Sequence, residues 1–170
     1  MKNNNKNNNV HYFLDIDGVL ATTTQFHINP KKYHPKHDCY PFDKKCVAVF
    51  NEIIAEVNPI IILSSTWRKF YTIDEMNEIF EWNGVNAKIS DVTPSIKNDE
   101  EFFTTATDIY EKRASEILDY LEEHPIEKYI VLDDYDLSPW ITSEHFVRTP
   151  KENEGIKQSG VKEKILKISI

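Results

Sequence analysis

The chain has 170 residues, 40% of them hydrophobic, enough for one compact domain with a real core and too few for two independent ones. Lys and Arg total 20 against 28 Asp and Glu, and a net charge of -8 argues against broad, sequence-blind attraction to nucleic acid while leaving room for a local basic groove. Cys39 and Cys46 are the only cysteines, and the opening MKNNNKNNNV lacks the apolar stretch of a secretory signal or membrane span, so a reducing, cytoplasmic setting with no membrane partner is expected.

Residues 1–9 are an Asn/Lys run with almost nothing to bury, read as a disordered tail ahead of a single domain over 10–170. Tyr12, Phe13 and Leu14 then run into Asp-Ile-Asp-Gly, which predicts a buried strand meeting a tight turn. Residues 21–42, rich in Thr, His, Pro and Lys without a period, read as an irregular flap. Asp43 resembles a helix cap, apolar residues from Val47 to Val57 recur at helical spacing, and Asn58 and Pro59 stop the run. Ile60, Ile61, Ile62 and Leu63 predict a second strand buried on both faces. A short helix follows over Ile73 to Trp82, closed by Asn83 and Gly84, then a weaker strand over Ala87 to Ile89. The stripe at 109, 114, 117, 118 and 121 predicts a helix from Ile109 to Glu123 ahead of a strand over Tyr129 to Leu132. Phe146 and Val147 mark a last short strand, and Val161 to Ile168 a closing helix. This alternation implies an α/β fold, a doubly wound, mostly parallel sheet flanked by helices, with no insertion large enough for a cap domain.

In such sheets ligands bind beyond the carboxyl ends of the strands. Those ends carry Asp15 and Asp17 with Gly18 after strand one, Ser64, Ser65, Thr66, Trp67 and Arg68 after strand two, and Asp133, Asp134 and Asp136 after strand four. Crowded acids repel, so a hard divalent cation with oxygen ligands is expected, and Mg2+ suits a site of carboxylates, a backbone carbonyl and a substrate phosphate. Asp15 and Asp17, two apart, predict two jobs: Asp15 a nucleophile that forms an aspartyl-phosphate, Asp17 a general acid and then base. The expected metal donors are Asp15, the Asp17 backbone carbonyl, and Asp133 or Asp134.

The set DIDGVL at 15–20, LSSTWR at 63–68, a basic residue near 113 and VLDDYD at 131–136 resembles the haloacid dehalogenase-like (HAD) hydrolase superfamily, and more narrowly the small HAD domains of Swiss Army Knife RNA repair proteins. The resemblance covers roughly 10–168. It implies a HAD-like Rossmannoid fold and a phosphatase in which Ser64, or else Ser65 or Thr66, hydrogen-bonds the transferring phosphoryl group. It also implies a cation that neutralises the phosphoryl oxygens, Arg113 or alternatively Lys112, both expected in the first turn of their helix.

Trp67 and Arg68 are candidates to frame a phosphate or base, with a packed Trp and a surface Arg as the plain alternative. His27, His34, His37, Cys39 and Cys46 are spaced H-x6-H-x2-H-x-C-x6-C, which matches no standard zinc finger, so a surface flap is preferred. Five Lys against two Asp over 26–46 give that flap a local positive excess. The function expected is a Mg2+-dependent phosphomonoesterase, with a nucleotide or nucleic-acid end phosphate as the favoured substrate. The alternatives are a non-catalytic module that binds phospholigands or RNA, and a phosphotransferase.

Overall fold

The computed structural model of the chain describes residues 9–95 and 105–170. The tail expected over 1–9 falls, but for Asn9, outside the described residues. In chain order the elements are β1 (His11–Leu14), α1 (Lys44–Val57), β2 (Ile60–Leu63), α2 (Ile73–Trp82), β3 (Ile89–Val92), α3 (Ala106–Glu123), β4 (Tyr129–Asp133), β5 (Phe146–Arg148) and α4 (Val161–Ser169). The strands form one all-parallel sheet in the order β3-β2-β1-β4-β5.

Alternation along the strands decides which helix each face receives. Tyr12, Leu14, Ile61, Leu63, Ile130 and Leu132 pack with the buried faces of α1, α2 and α4. Phe13, Ile62 and Val131 pack on the other side, against Ala114, Ile117 and Tyr120 of α3. The central strands β1, β2 and β4 carry apolar residues on both faces up to their carboxyl ends, as a sheet covered on both sides requires, so the doubly wound α/β reading holds.

Register aligns the strand ends. Leu14 lies opposite both Leu63 and Leu132, so the next residues, Asp15, Ser64 and Asp133, fall in one layer. The ladder carries on through it: Asp15 N–H donates to Leu132 O at 3.0 Å, and Ser64 N–H to Leu14 O at 2.8 Å. By the same alternation these three side chains continue the Phe13, Ile62 and Val131 rows, on the α3 side. Strand order reverses between β1 and β4, where a ligand crevice is expected.

Two boundaries differ from the sequence reading. α3 starts at Ala106, three residues early, because Thr105 and Asp108 make a reciprocal capping box that fixes its first turn. Lys112 and Arg113 therefore lie in its second and third turns rather than the first. The strand expected over Ala87 to Ile89 is Ile89–Val92 instead; as an edge strand it keeps Ser90 exposed and Asp91 half-buried, which hides it from an apolar pattern. The flap contains two single 3-10 turns, Gln25–His27 and Pro30–Lys32, and among the described residues no cap domain is seen. No described helix is long and apolar enough to cross a membrane.

Candidate active site and metal centre

The turn after β1 is built around one carbonyl. The N–H groups of Val19, Leu20 and Ala21 all converge on Ile16 O, and Gly18 N–H donates to Ala21 O at 2.7 Å. Among the described residues no backbone N–H donates to the Asp17 carbonyl, which stays available as an oxygen donor. Gly18 has φ +74°, and a Cβ there would lie 2.6 Å from Asp134 Cβ and Cγ. Glycine is thus needed twice: for the left-handed backbone, and to let Asp134 come down over the turn.

Asp15, Asp133 and Asp134 each offer a carboxylate oxygen, and these atoms lie within 4.8 Å of one another. Asp133 is fully buried and Asp15 nearly so. Among the described residues the cation paired with them is Arg113, also buried, whose Nη1 reaches Asp133 Oδ2 at 2.7 Å, Ser64 O at 2.7 Å and Asp15 Oδ1 at 3.4 Å. Arg113 arrives there because α3 repeats buried positions at 113, 116, 117 and 120 along one stripe. Burial alone would lower its pKa, but Asp15 and Asp133 outweigh that and raise it.

The three carboxylates against one guanidinium leave a local excess of negative charge. Burial raises the Asp133 carboxyl, against the pull of Arg113 and helped by Asp15. Burial likewise raises Asp134, with Asp15, Asp133 and Glu152 adding to it. Asp133 already accepts from Arg113 and from Tyr135 N–H at 2.9 Å, whereas among the described residues no donor reaches the Asp134 carboxylate. An all-oxygen donor set with unmatched negative charge fits a hard divalent cation.

Asp17 sits to one side of this cluster. Its Oδ1 accepts from Tyr40 Oη at 2.6 Å and its Oδ2 from Trp67 Nε1 at 3.0 Å. Burial raises its pKa, opposed by the Tyr40 bond and reinforced by the charge of Asp15. Tyr40 comes from the flap, where no periodicity marks it; sequence reasoning missed it.

After β2 the two serines are buried, and neither Ser64 Oγ nor Ser65 Oγ has a partner among the described residues. Thr66 is exposed and opens a 3-10 turn, Thr66–Lys69, which folds Trp67 back beneath the β1 turn. Trp67 is consequently buried among Tyr40, Phe42 and Tyr71, with its N–H spent on Asp17, rather than presenting an open stacking face. Arg68 is neither a free fork nor a surface residue. Its guanidinium pairs with Glu116 and donates to Ser65 O at 2.6 Å, Thr93 O at 3.1 Å and Pro94 O at 3.3 Å. The neighbouring Lys112 lines a cavity of about 180 Å³ with Thr66, Lys69 and Tyr135, and Arg113 also reaches its wall. Asp136 lies apart from the cluster, bonded to Ser138 and Arg148.

The His/Cys set of the flap does not converge on a metal geometry. His37 pairs with Glu78, His34 Nδ1 accepts from the Lys36 and His37 amides, and Cys46 donates to Glu154 O. Among the described residues the Asp15, Asp133 and Asp134 group is the one cluster with metal-holding spacing. The flap's charge is partly matched, since Lys36 makes two bonds to Glu78 while Lys31 and Lys32 stay exposed. A larger cavity of about 820 Å³ runs along α2 towards Asn58 and Pro59, away from these carboxylates.

Searches of curated proteins and of solved structures each find no match to the chain. Residues 12–161 match the family described as the HAD domain in Swiss Army Knife RNA repair proteins, a span that includes every strand-end residue above. The chain belongs to that family of HAD domains.

Proposed function

We propose that the protein is a metal-dependent phosphomonoesterase that works through an aspartyl-phosphate on Asp15. The observation that carries this reading is the convergence of three carboxylates within 4.8 Å around one buried arginine, beside two unpartnered serine hydroxyls. Asp15, Asp134, Asp133 and the Asp17 carbonyl would hold Mg2+, with Asp134 the carboxylate that gains most because no described donor serves it. When bound, the ion would offset charge on the carboxylates and on the substrate phosphate.

The chain's own residues supply the rest. An Asp15 oxygen attacks phosphorus while the bond to the leaving oxygen breaks, and Asp17 gives that oxygen its proton. Burial keeps Asp17 above the usual carboxylate range, which suits an acid, and each of its oxygens keeps a lone pair beyond the bonds from Tyr40 and Trp67. Ser64 shares its layer and face with Asp15, so its hydroxyl is the better placed of the two serines to donate to a phosphoryl oxygen. Arg113 stabilises the ionised nucleophile and the growing negative charge. Asp17 then takes a proton from water, whose oxygen attacks phosphorus and returns Asp15 as a carboxylate.

Family membership and a strand-end site with no described cap support a nucleotide or nucleic-acid end as substrate. Two free, buried cysteines support an intracellular setting. The test is a phosphoester panel with Mg2+: wild type releases phosphate, and Asp15→Asn loses at least about a thousandfold in kcat. Equal, zero turnover of both proteins on every ester would overturn the reading. Tight phospholigand binding without turnover would favour a binding module, and transfer to added alcohols a phosphotransferase.

A further inference from the structure

We propose that the aromatic cavity beside Asp17 is a base-binding subsite that takes the nucleobase of the phosphorylated nucleotide; this rests on reading Asp17 as the acid at the leaving oxygen. The cavity holds about 320 Å³ and is walled by Tyr33, Tyr40, Trp67, Phe70 and Tyr71, with Asp17 in its lining. A volume at the low end of roughly 300–1,000 Å³, the usual range of small-molecule sites, suits one ring system rather than a longer chain. Because Asp17 belongs both to this wall and to the chemistry, whatever departs on the leaving oxygen lies against these rings.

The walls are built before any ligand arrives. Tyr40 meets Trp67 edge-on at 5.3 Å and Tyr33 at 6.2 Å, and Tyr71 lies 5.6 Å from Trp67. Tyr71 is further tied through its hydroxyl to His37 O. Phe70 differs from its neighbours: it is 72% exposed, held at the end of the 3-10 turn by its N–H on Trp67 O at 2.9 Å. A phenyl ring kept in water beside a catalytic carboxyl offers a stacking face at no cost in rearrangement.

Charge selects among flat ligands. The lining contains the carboxylates of Asp17 and Asp38 and, among the described residues, no Lys or Arg, so it disfavours anions and leaves the phosphate to the Asp15 side. Asp38 is held in a left-handed conformation, φ 51°, by its N–H on His34 O, and supplies an acceptor for ring N–H or exocyclic amine groups. Nucleobases carry such donors on a flat π surface. A phosphotyrosine ring has none, and it bears the leaving oxygen directly, with no sugar to carry it deeper into the cavity.

The test is equilibrium binding to full-length Asp15→Asn protein in Mg2+, comparing adenosine 5′-monophosphate and a 3′-phosphorylated dinucleotide with ribose 5-phosphate and phenyl phosphate. At least one base-bearing ligand should bind about tenfold tighter than both controls, a gap of the size expected for stacking of one base. Phe70→Ala should remove most of that preference and Phe70→Trp restore it; at 72% exposure the site tolerates both changes without unfolding. Equal affinity for ribose 5-phosphate or phenyl phosphate, or a preference indifferent to Phe70→Ala, would overturn the subsite. Failure of the phosphatase reading is separate: base-dependent binding with no phosphate release from any ester by wild type would sink the chemistry and keep the subsite.

Discussion

Two buried arginines stand on neighbouring sides of α3 and meet opposite conditions. Arg68 pairs with one carboxylate, Glu116, and donates to three carbonyls. Arg113 faces Asp15 and Asp133, with Asp134 a third carboxylate in the same group. In the first, one guanidinium meets one carboxylate and three carbonyl oxygens. In the second, burial and mutual repulsion raise Asp133 and Asp134 even with Arg113 present. The difference separates an ion pair that holds β2 to α3 from a set of acids that is incomplete without something positive. Both depend on one helical stripe, since Arg113 and Glu116 are three residues apart on the buried face of α3.

The largest effect should come from breaking the unbalanced network. Arg113→Met leaves Asp15 and Asp133 buried without their cation and should cost about 3–5 kcal/mol in urea unfolding. Part of the loss should return in Mg2+, because an ion can take the place of the missing charge; no recovery would count against a cation site there. Wild type itself should gain about 2.7 kcal/mol at an Mg2+ concentration of 100 times its Kd, and Asp134→Asn should shrink that gain. Thermal melts across an Mg2+ series with EDTA as the blank would read it.

A smaller effect is expected in the balanced network. Glu116→Gln keeps an acceptor for Arg68 and leaves the three carbonyl bonds in place, so about 1–3 kcal/mol should be lost, with no recovery in Mg2+. Magnesium rescue of this variant would erase the distinction drawn between the two arginines.

The smallest effect lies at a third pair, Asp43 and Lys157. Asp43 caps α1 through the N–H groups of Lys45 and Cys46 and accepts from Lys157 at 2.6 Å. Burial would raise its pKa, but Lys157 and the capping amides outweigh it and lower it below the ordinary 3.8. Its ionised form therefore adds stability above pH 3.8, and that stability is lost as pH falls through the lowered folded value. Asp43→Asn, which still caps, should be weaker than wild type by about 0.5–1 kcal/mol at pH 7, and the gap should close as pH falls through the lowered folded value. A gap that persists in acid would place the effect in packing rather than charge.

Much of this was legible in the chain. Apolar runs at 12–14, 60–63 and 129–132 announce strands covered on both faces, and the acids and hydroxyls that end them fall in one layer because register aligns them. Asp43 as a cap and Asn58 as a stop are visible because capping chemistry is local. What stayed hidden depends on folding back. Tyr40 reaches Asp17 across 23 residues of aperiodic flap, and no local pattern signals that contact. Trp67 and Arg68 look like free recognition groups until the 3-10 turn at Thr66–Lys69 packs the indole under β1 and sends the guanidinium to Glu116. The α3 boundary was missed for a different reason: Thr105 and Asp108 form its capping box ahead of the first apolar position.

Asp134 approaches the bare α-carbon at position 18 so closely that the two halves of the switch point leave no room for a side chain between them. A single methyl there would overlap the carboxylate and also force an L side chain into φ +74°. The spacing between the β1 acids and the β4 acids is therefore gauged by the smallest residue in the chain, and the geometry of the acid cluster should prove more sensitive to that position than the packing of the sheet.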